Sequence, residues 1–74
     1  MPRARLLVRE IAEQQGLDSA KLGRMADVAG RTTYEIWKNP YRAVSTVTLA
    51  KIAKALNCNI GDLIQIEDEE PKPL

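Results

Sequence analysis

Between Gly30 and Lys38 the side chains sort into two sets. Thr33, Ile36 and Trp37 recur at i, i+3, i+4, the spacing of one helical face turned inward. Arg31, Thr32, Tyr34, Glu35 and Lys38 fall on the remaining arc, with Gly30 at its start. The outward set carries the chemistry of nucleic-acid recognition. An arginine can bridge guanine O6 and N7 with two hydrogen bonds. Threonine and tyrosine hydroxyls can bond phosphates or bases. Lysine neutralises phosphate, and Gly30 has no side chain to hold a DNA backbone away. Asn39 and Arg42 continue the polar run just past the helix.

The residues of catalysis are scarce by contrast. The chain has no histidine, so the commonest acid–base group and metal ligand is missing. Its one cysteine, Cys58, can form neither an internal disulfide nor a multi-cysteine zinc site. Asp18, Asp27 and Glu35 show no pairing pattern for general acid–base work. No glycine loop of the phosphate-cradling kind is present. The expectation is a protein that is not an enzyme and takes no cofactor or metal.

The outward face must be positioned by its neighbours, and nearly the whole pattern reads as helical. A first helix is expected from Arg3 or Ala4 to Gln15, stopped by Gly16, which reaches positive φ without penalty. Asp18 or Ser19 then offers an N-cap to a second helix carrying Leu22, Met25 and Ala26. Ala29-Gly30 reads as a turn into the third helix, Gly30 to Lys38, which Asn39-Pro40 ends. Ser45 caps a fourth helix, Thr46 to Leu56, whose stripe is Leu49, Ile52, Ala53 and Leu56. Lys51 and Lys54 fall on its outward face. Asn59 caps a short fifth helix, Ile60 to Gln65, with Asp62 as the capping-box acid. The expected fold class is therefore all-α, a compact five-helix bundle containing a helix-turn-helix. Leu22, Met25, Val28, Thr33 and Ile36 are expected to hold its two central helices together, with the second in the major groove.

Length and charge agree with this picture. Seventy-four residues allow one domain. Residues 1–66 hold ten Lys/Arg and six Asp/Glu, ten less six giving +4. Residues 67–74 hold one lysine and four acids, one less four giving −3. A basic body with an acidic end is a nucleic-acid binder's distribution, although a mildly basic protein with a solvated tail has it too. The expected division is a DNA-binding domain at 1–66 and a disordered tail at 67–74, where charge density and two prolines oppose folding. A single thiol fits the cytoplasm. Leu6, Leu7 and Val8 are too few for a signal-peptide core, and no apolar run is long enough to span a membrane.

Several stretches together resemble the Cro/lambda-repressor (XRE) helix-turn-helix family. They are Gly16-Leu17, Leu22 to Val28, Thr32 to Ile36, Ser45 to Asn57 and Ile60 to Ile64. The similarity covers about Val8 to Ile66 and is most specific over Thr48 to Ile64. It implies a five-helix DNA-binding fold, dimeric, that recognises specific sequences. It also implies that the third helix is the recognition helix, with Gly30, Arg31 and Tyr34 where the family reads bases. Ser19 falls where the family contacts the duplex from its second helix. Lys38, Asn39 and Arg42 fall where phosphates are held. The chain departs from the family at Asp27, where glycine is common, and at Gly23, where alanine is usual. Thr33 stands in place of an aliphatic residue and Trp37 in place of a charged one.

Each assignment has a plainer counterpart. Arg31 could be a solvated charge, Tyr34 could pack against a loop, and Lys38 and Arg42 could simply face water. Trp37 reads as core, Cys58 as a small filler, and Lys51 and Lys54 as solubilising charges. The expected function is a DNA-binding transcriptional regulator of repressor type acting on double-stranded DNA. The alternative is a protein-interaction module, antitoxin-like or an adaptor, that keeps the fold. Ile60, Leu63, Ile64 and Ile66 are too many for one short helix to bury, so a homodimer through Ile60–Ile66 is expected.

Overall fold

The computed structural model describes residues 2–68. Along the chain run β1 (Pro2–Leu6), α1 (Val8–Gln14), α2 (Ser19–Ala26), α3 (Gly30–Lys38) and α4 (Thr46–Leu56). A 3-10 turn (Ile60–Leu63) and β2 (Ile64–Asp68) follow. β1 and β2 pair antiparallel as a two-stranded ribbon, with Leu6 opposite Ile64, Ala4 opposite Ile66 and Arg3 opposite Glu67.

The ribbon overturns the all-α five-helix bundle. Its two strands occupy the start of the expected first helix and the end of the expected fifth. Both stretches alternate: Ala4 and Leu6 against Arg3 and Arg5, Ile64 and Ile66 against Gln65 and Glu67. That is the period of a strand with one apolar face. Ala, Arg and Leu favour helix locally, but pairing across the ribbon wins, because tertiary context overrides weak propensity. Backbone bonds fix its base: the Leu6 amide donates to the Pro40 carbonyl at 2.7 Å and the Leu7 amide to Leu63 at 2.7 Å. The strand also carries the fold through Glu67 and Asp68, past the boundary expected at 66. The rest of the expected tail, 69–74, lies outside the described residues.

Most local signals act as read. Gly16 takes φ 74° after α1. Asp18, not Ser19, caps α2, its carboxylate accepting from the Lys21 amide at 2.8 Å. The Ser45 hydroxyl accepts from the Thr48 amide at 3.1 Å and starts α4, a cap typically worth ~1 kcal/mol. Asn59 and Asp62 form both bonds of a capping box around the 3-10 turn. The turn ends at Ile64, whose backbone is already extended.

The core gathers Val8, Leu22, Ile36, Ile52, Leu56 and Leu63, all essentially inaccessible to water. The α4 stripe of Leu49, Ile52, Ala53 and Leu56 is buried as expected, and Trp37 packs partly buried against the core. Met25 is the exception in α2, 55% exposed. The buried arc of α2 is Leu22, Gly23 and Ala26. At ~100° per residue, Met25 falls on the far side of Leu22 from that arc.

Candidate nucleic-acid interface

α2, the turn Asp27–Ala29 and α3 form a helix-turn-helix. The reversal depends on Asp27, which adopts the left-handed conformation at φ 55°, ψ 47°. Aspartate tolerates that region better than most side chains. Two further bonds fix the turn. The Val28 amide donates to the Gly23 carbonyl at 2.9 Å. The Lys51 ammonium reaches the Asp27 carbonyl from α4 at 3.4 Å. Lys51 thus ties down the turn in addition to facing solvent. Nothing in the sequence pattern links two residues 24 apart, so only the folded chain reveals this bond.

Two departures from the family pattern fit each other. Thr33 is fully buried and donates its hydroxyl to the Gly30 carbonyl at 2.9 Å. A Cβ on Gly23 would lie 3.1 Å from the Thr33 hydroxyl oxygen and 3.1 Å from the Val28 carbonyl oxygen. Glycine in α2 therefore makes room for the polar side chain buried under α3.

The outer face of α3 and the loop after it present an open depression lined by Arg31, Tyr34, Glu35, Lys38, Asn39 and Arg42. Five of these are among the sequence-predicted contacts. The sixth, Glu35, organises the others. Its carboxylate pairs with the Arg31 guanidinium at 3.4 Å and with that of Arg42. The i, i+4 spacing from Arg31 to Glu35 was legible in the sequence; the approach of Arg42 from the loop was not. The Lys38 ammonium lies 5.4 Å from the Tyr34 ring centroid, within cation–π range. The face thus carries three cations and one carboxylate, which leaves it net positive. Arg31 is open to solvent, its side chain 89% exposed.

Asn39 has a second role, and the remaining predicted residues lie elsewhere. The Asn39 side chain accepts from the Tyr41 amide at 3.1 Å and shapes the loop. Gly30 borders a second shallow depression with Ala20, Gly23, Arg24, Asp27 and Val28. A Cβ on Gly30 would meet nothing within 4 Å, so the fold itself does not require glycine there. Exposed Arg24, beside Gly30, is a cation that the sequence reading passed over. Ser19 and Thr32 are half-buried and line neither depression. Burial first, and the Asp62 carboxylate second, push the Cys58 thiol up, which disfavours the reactive thiolate. Among the described residues no group of three or more His, Cys, Asp or Glu could hold a metal, and no helix is long and apolar enough to cross a membrane.

A capped α2, a left-handed turn and an α3 with one buried and one cationic face define a helix-turn-helix DNA-binding domain. The chain belongs to the Cro/C1-type helix-turn-helix DNA-binding domain family, whose model matches residues 8–69. Among solved structures it is similar to the transcriptional regulator VanUg (crystal form II). The two share 25% identity and a TM-score of 0.72, over 92% of this chain and 89% of that one. No curated protein matches the chain.

Proposed function

We propose that this protein is a cytoplasmic, sequence-specific transcriptional regulator of repressor type that sets α3 into the major groove of duplex DNA. The observation that carries the reading is the cationic outer face of α3, held by buried Thr33 and Ile36 on its inner one. Thr33 and Ile36 fix the helix, so Arg31, Tyr34 and Lys38 are presented from a rigid support. Arg31 reads a guanine edge, at the cost of its pair with Glu35. Such exposed pairs are worth ~1 kcal/mol or less, so the exchange is easily made. Lys38 and Arg42 hold phosphates, with Asn39 beside them, Gly30 exposed at the start of α3, and half-buried Ser19 and Thr32 adding hydroxyl contacts at the starts of α2 and α3.

The active species in this reading is a two-fold homodimer through Ile60–Ile66. Ile66 is 70% exposed and Ile60 37%, while Leu63 is buried and Ile64 packs partly on the core. Two recognition helices then meet half-sites about 34–36 Å apart.

The test is selection of bound sequences from a random duplex pool, followed by salt-dependent mobility shifts. Arg31→Ala is expected to lose ~1–3 kcal/mol on the selected site and little on random duplex. Lys38→Ala and Arg42→Ala are each expected to weaken binding on all sequences and lower the salt slope by ~1. Equal loss on both duplexes would make Arg31 a phosphate contact. No duplex binding at any salt would favour the protein-interaction module instead.

A further inference from the structure

A second cationic cluster lies on the β ribbon, where the sequence reading expected a helix. In β1, Arg3 and Arg5 share one face, and in β2 the cross-strand partner of Arg3 is Glu67. Three donors converge on the Glu67 carboxylate. The Tyr41 hydroxyl donates to it at 2.9 Å, the Arg3 guanidinium stands 3.7 Å away and that of Arg5 3.9 Å away. The Arg3 guanidinium also stacks over the Tyr41 ring at 3.8 Å. Arg5 has a second carboxylate, Glu10, at 3.7 Å. Two guanidinium groups and a phenol around one carboxylate also make a suitable seat for a backbone phosphate, whose two non-bridging oxygens share one negative charge as a carboxylate's do.

The position of the seat says which phosphate. Tyr41 follows Asn39 by two residues and precedes Arg42 directly, and both line the depression beside α3. The base of β1 is bonded to this same loop through the Pro40 carbonyl. We infer that Arg3, Arg5 and Tyr41 form a DNA-phosphate seat flanking the recognition helix, and that Glu67 occupies it while DNA is absent. The inference rests on the DNA-binding reading above. On binding, a backbone phosphate displaces Glu67 from the two guanidinium groups and the phenol, while Glu10 keeps its contact with Arg5. Glu67 is thereby an internal competitor that lowers affinity for every sequence alike.

The experiment is a salt titration of binding to the selected duplex by the full chain and three variants. Arg3→Ala/Arg5→Ala is expected to reduce the magnitude of the salt slope by ~1–2, since each phosphate contact contributes ~0.9. Arg3→Lys/Arg5→Lys keeps the charges and is expected to restore most of the slope, which a purely structural role for the arginines would not produce. Glu67→Gln removes the competitor and is expected to tighten binding up to about fivefold on selected and random duplex alike. If the double alanine variant keeps the parental slope, or Glu67→Gln binds no tighter, the seat is wrong while DNA binding stands. If the parent protein binds no duplex, both readings fall together.

Discussion

The helix-turn-helix and the β ribbon each have one apolar and one charged face, but they are anchored very differently. In α2 and α3 the apolar face is closed: Leu22, Gly23, Ala26, Thr33 and Ile36 are all buried. In the ribbon only Leu6 is buried and Ile64 partly so, while Ala4 and Ile66, paired across the strands, remain exposed. A closed inner face fixes the outer one, because packed side chains allow the backbone few alternatives. That is what reading a base edge demands. The ribbon is tied by its backbone at the Leu6 end and at its outer end only through the exposed Tyr41 side chain, so its arginines supply charge more than geometry, and its open apolar face is available to a second subunit. In the proposed reading α3 supplies the specificity, and the ribbon supplies general affinity and assembly.

The sharpest way to break this contrast is to empty one site in each region. Leu22→Ala removes a fully buried side chain under α3 and is expected to cost ~2–5 kcal/mol in urea unfolding. Ile66→Ala, at a dilution where any dimer has dissociated, is expected to change stability by ~0.5 kcal/mol or less. A comparable loss at the two positions would show that the ribbon's outer face is covered within the monomer.

A smaller effect probes how α3 is seated. Alanine gains up to ~1 kcal/mol over glycine in helix propensity, so Gly23→Ala should stabilise α2 if only local preference mattered. The 3.1 Å approaches to Thr33 and to the Val28 carbonyl predict no gain, or a net loss. In a Thr33→Ala background the side-chain half of the clash is gone. The double-mutant cycle is then expected to show a coupling of ~0.5–3 kcal/mol between the two positions. Additive effects would separate them and leave glycine at 23 without a packing reason.

The smallest effect belongs to the ribbon and is read by titration. The Tyr41 phenol is held above its ordinary 10.0, first by its hydrogen bond to Glu67 and second by partial burial. Because the folded value is raised, the protonated phenol is favoured in the native state. Whatever stability the contact gives is present below pH 10 and lost as pH rises through the higher folded value. In a Tyr34→Phe background, where Tyr41 is the remaining tyrosine, absorbance titration is expected to show a raised midpoint. Glu67→Ala should bring it back toward 10. An unmoved midpoint would mean that Glu67 does not hold the phenol in solution.

The sequence by itself determined α2, α3 and α4, and where α1 stops. Periodic burial at Leu49, Ile52, Ala53 and Leu56, and capping at Ser45, Asn59 and Asp62, act over a few residues. Neighbouring residues are enough to reveal them. The outward row of α3 was legible for the same reason, since a 3.6-residue period separates an inner face from an outer one. What the tertiary structure decided are the contacts between distant residues. Pro2–Leu6 becomes a strand because Ile64–Asp68 lies beside it, and a five-residue alternation cannot announce a partner some sixty positions away. Gly23 becomes informative because Thr33 packs over it. Glu35 joins Arg31 to Arg42, and Lys51 reaches the turn at Asp27, because the folded chain brings them together. Local preference is weak and additive, whereas pairing and close packing exist only once two separated segments meet, and here they settled the ribbon and the seating of α3.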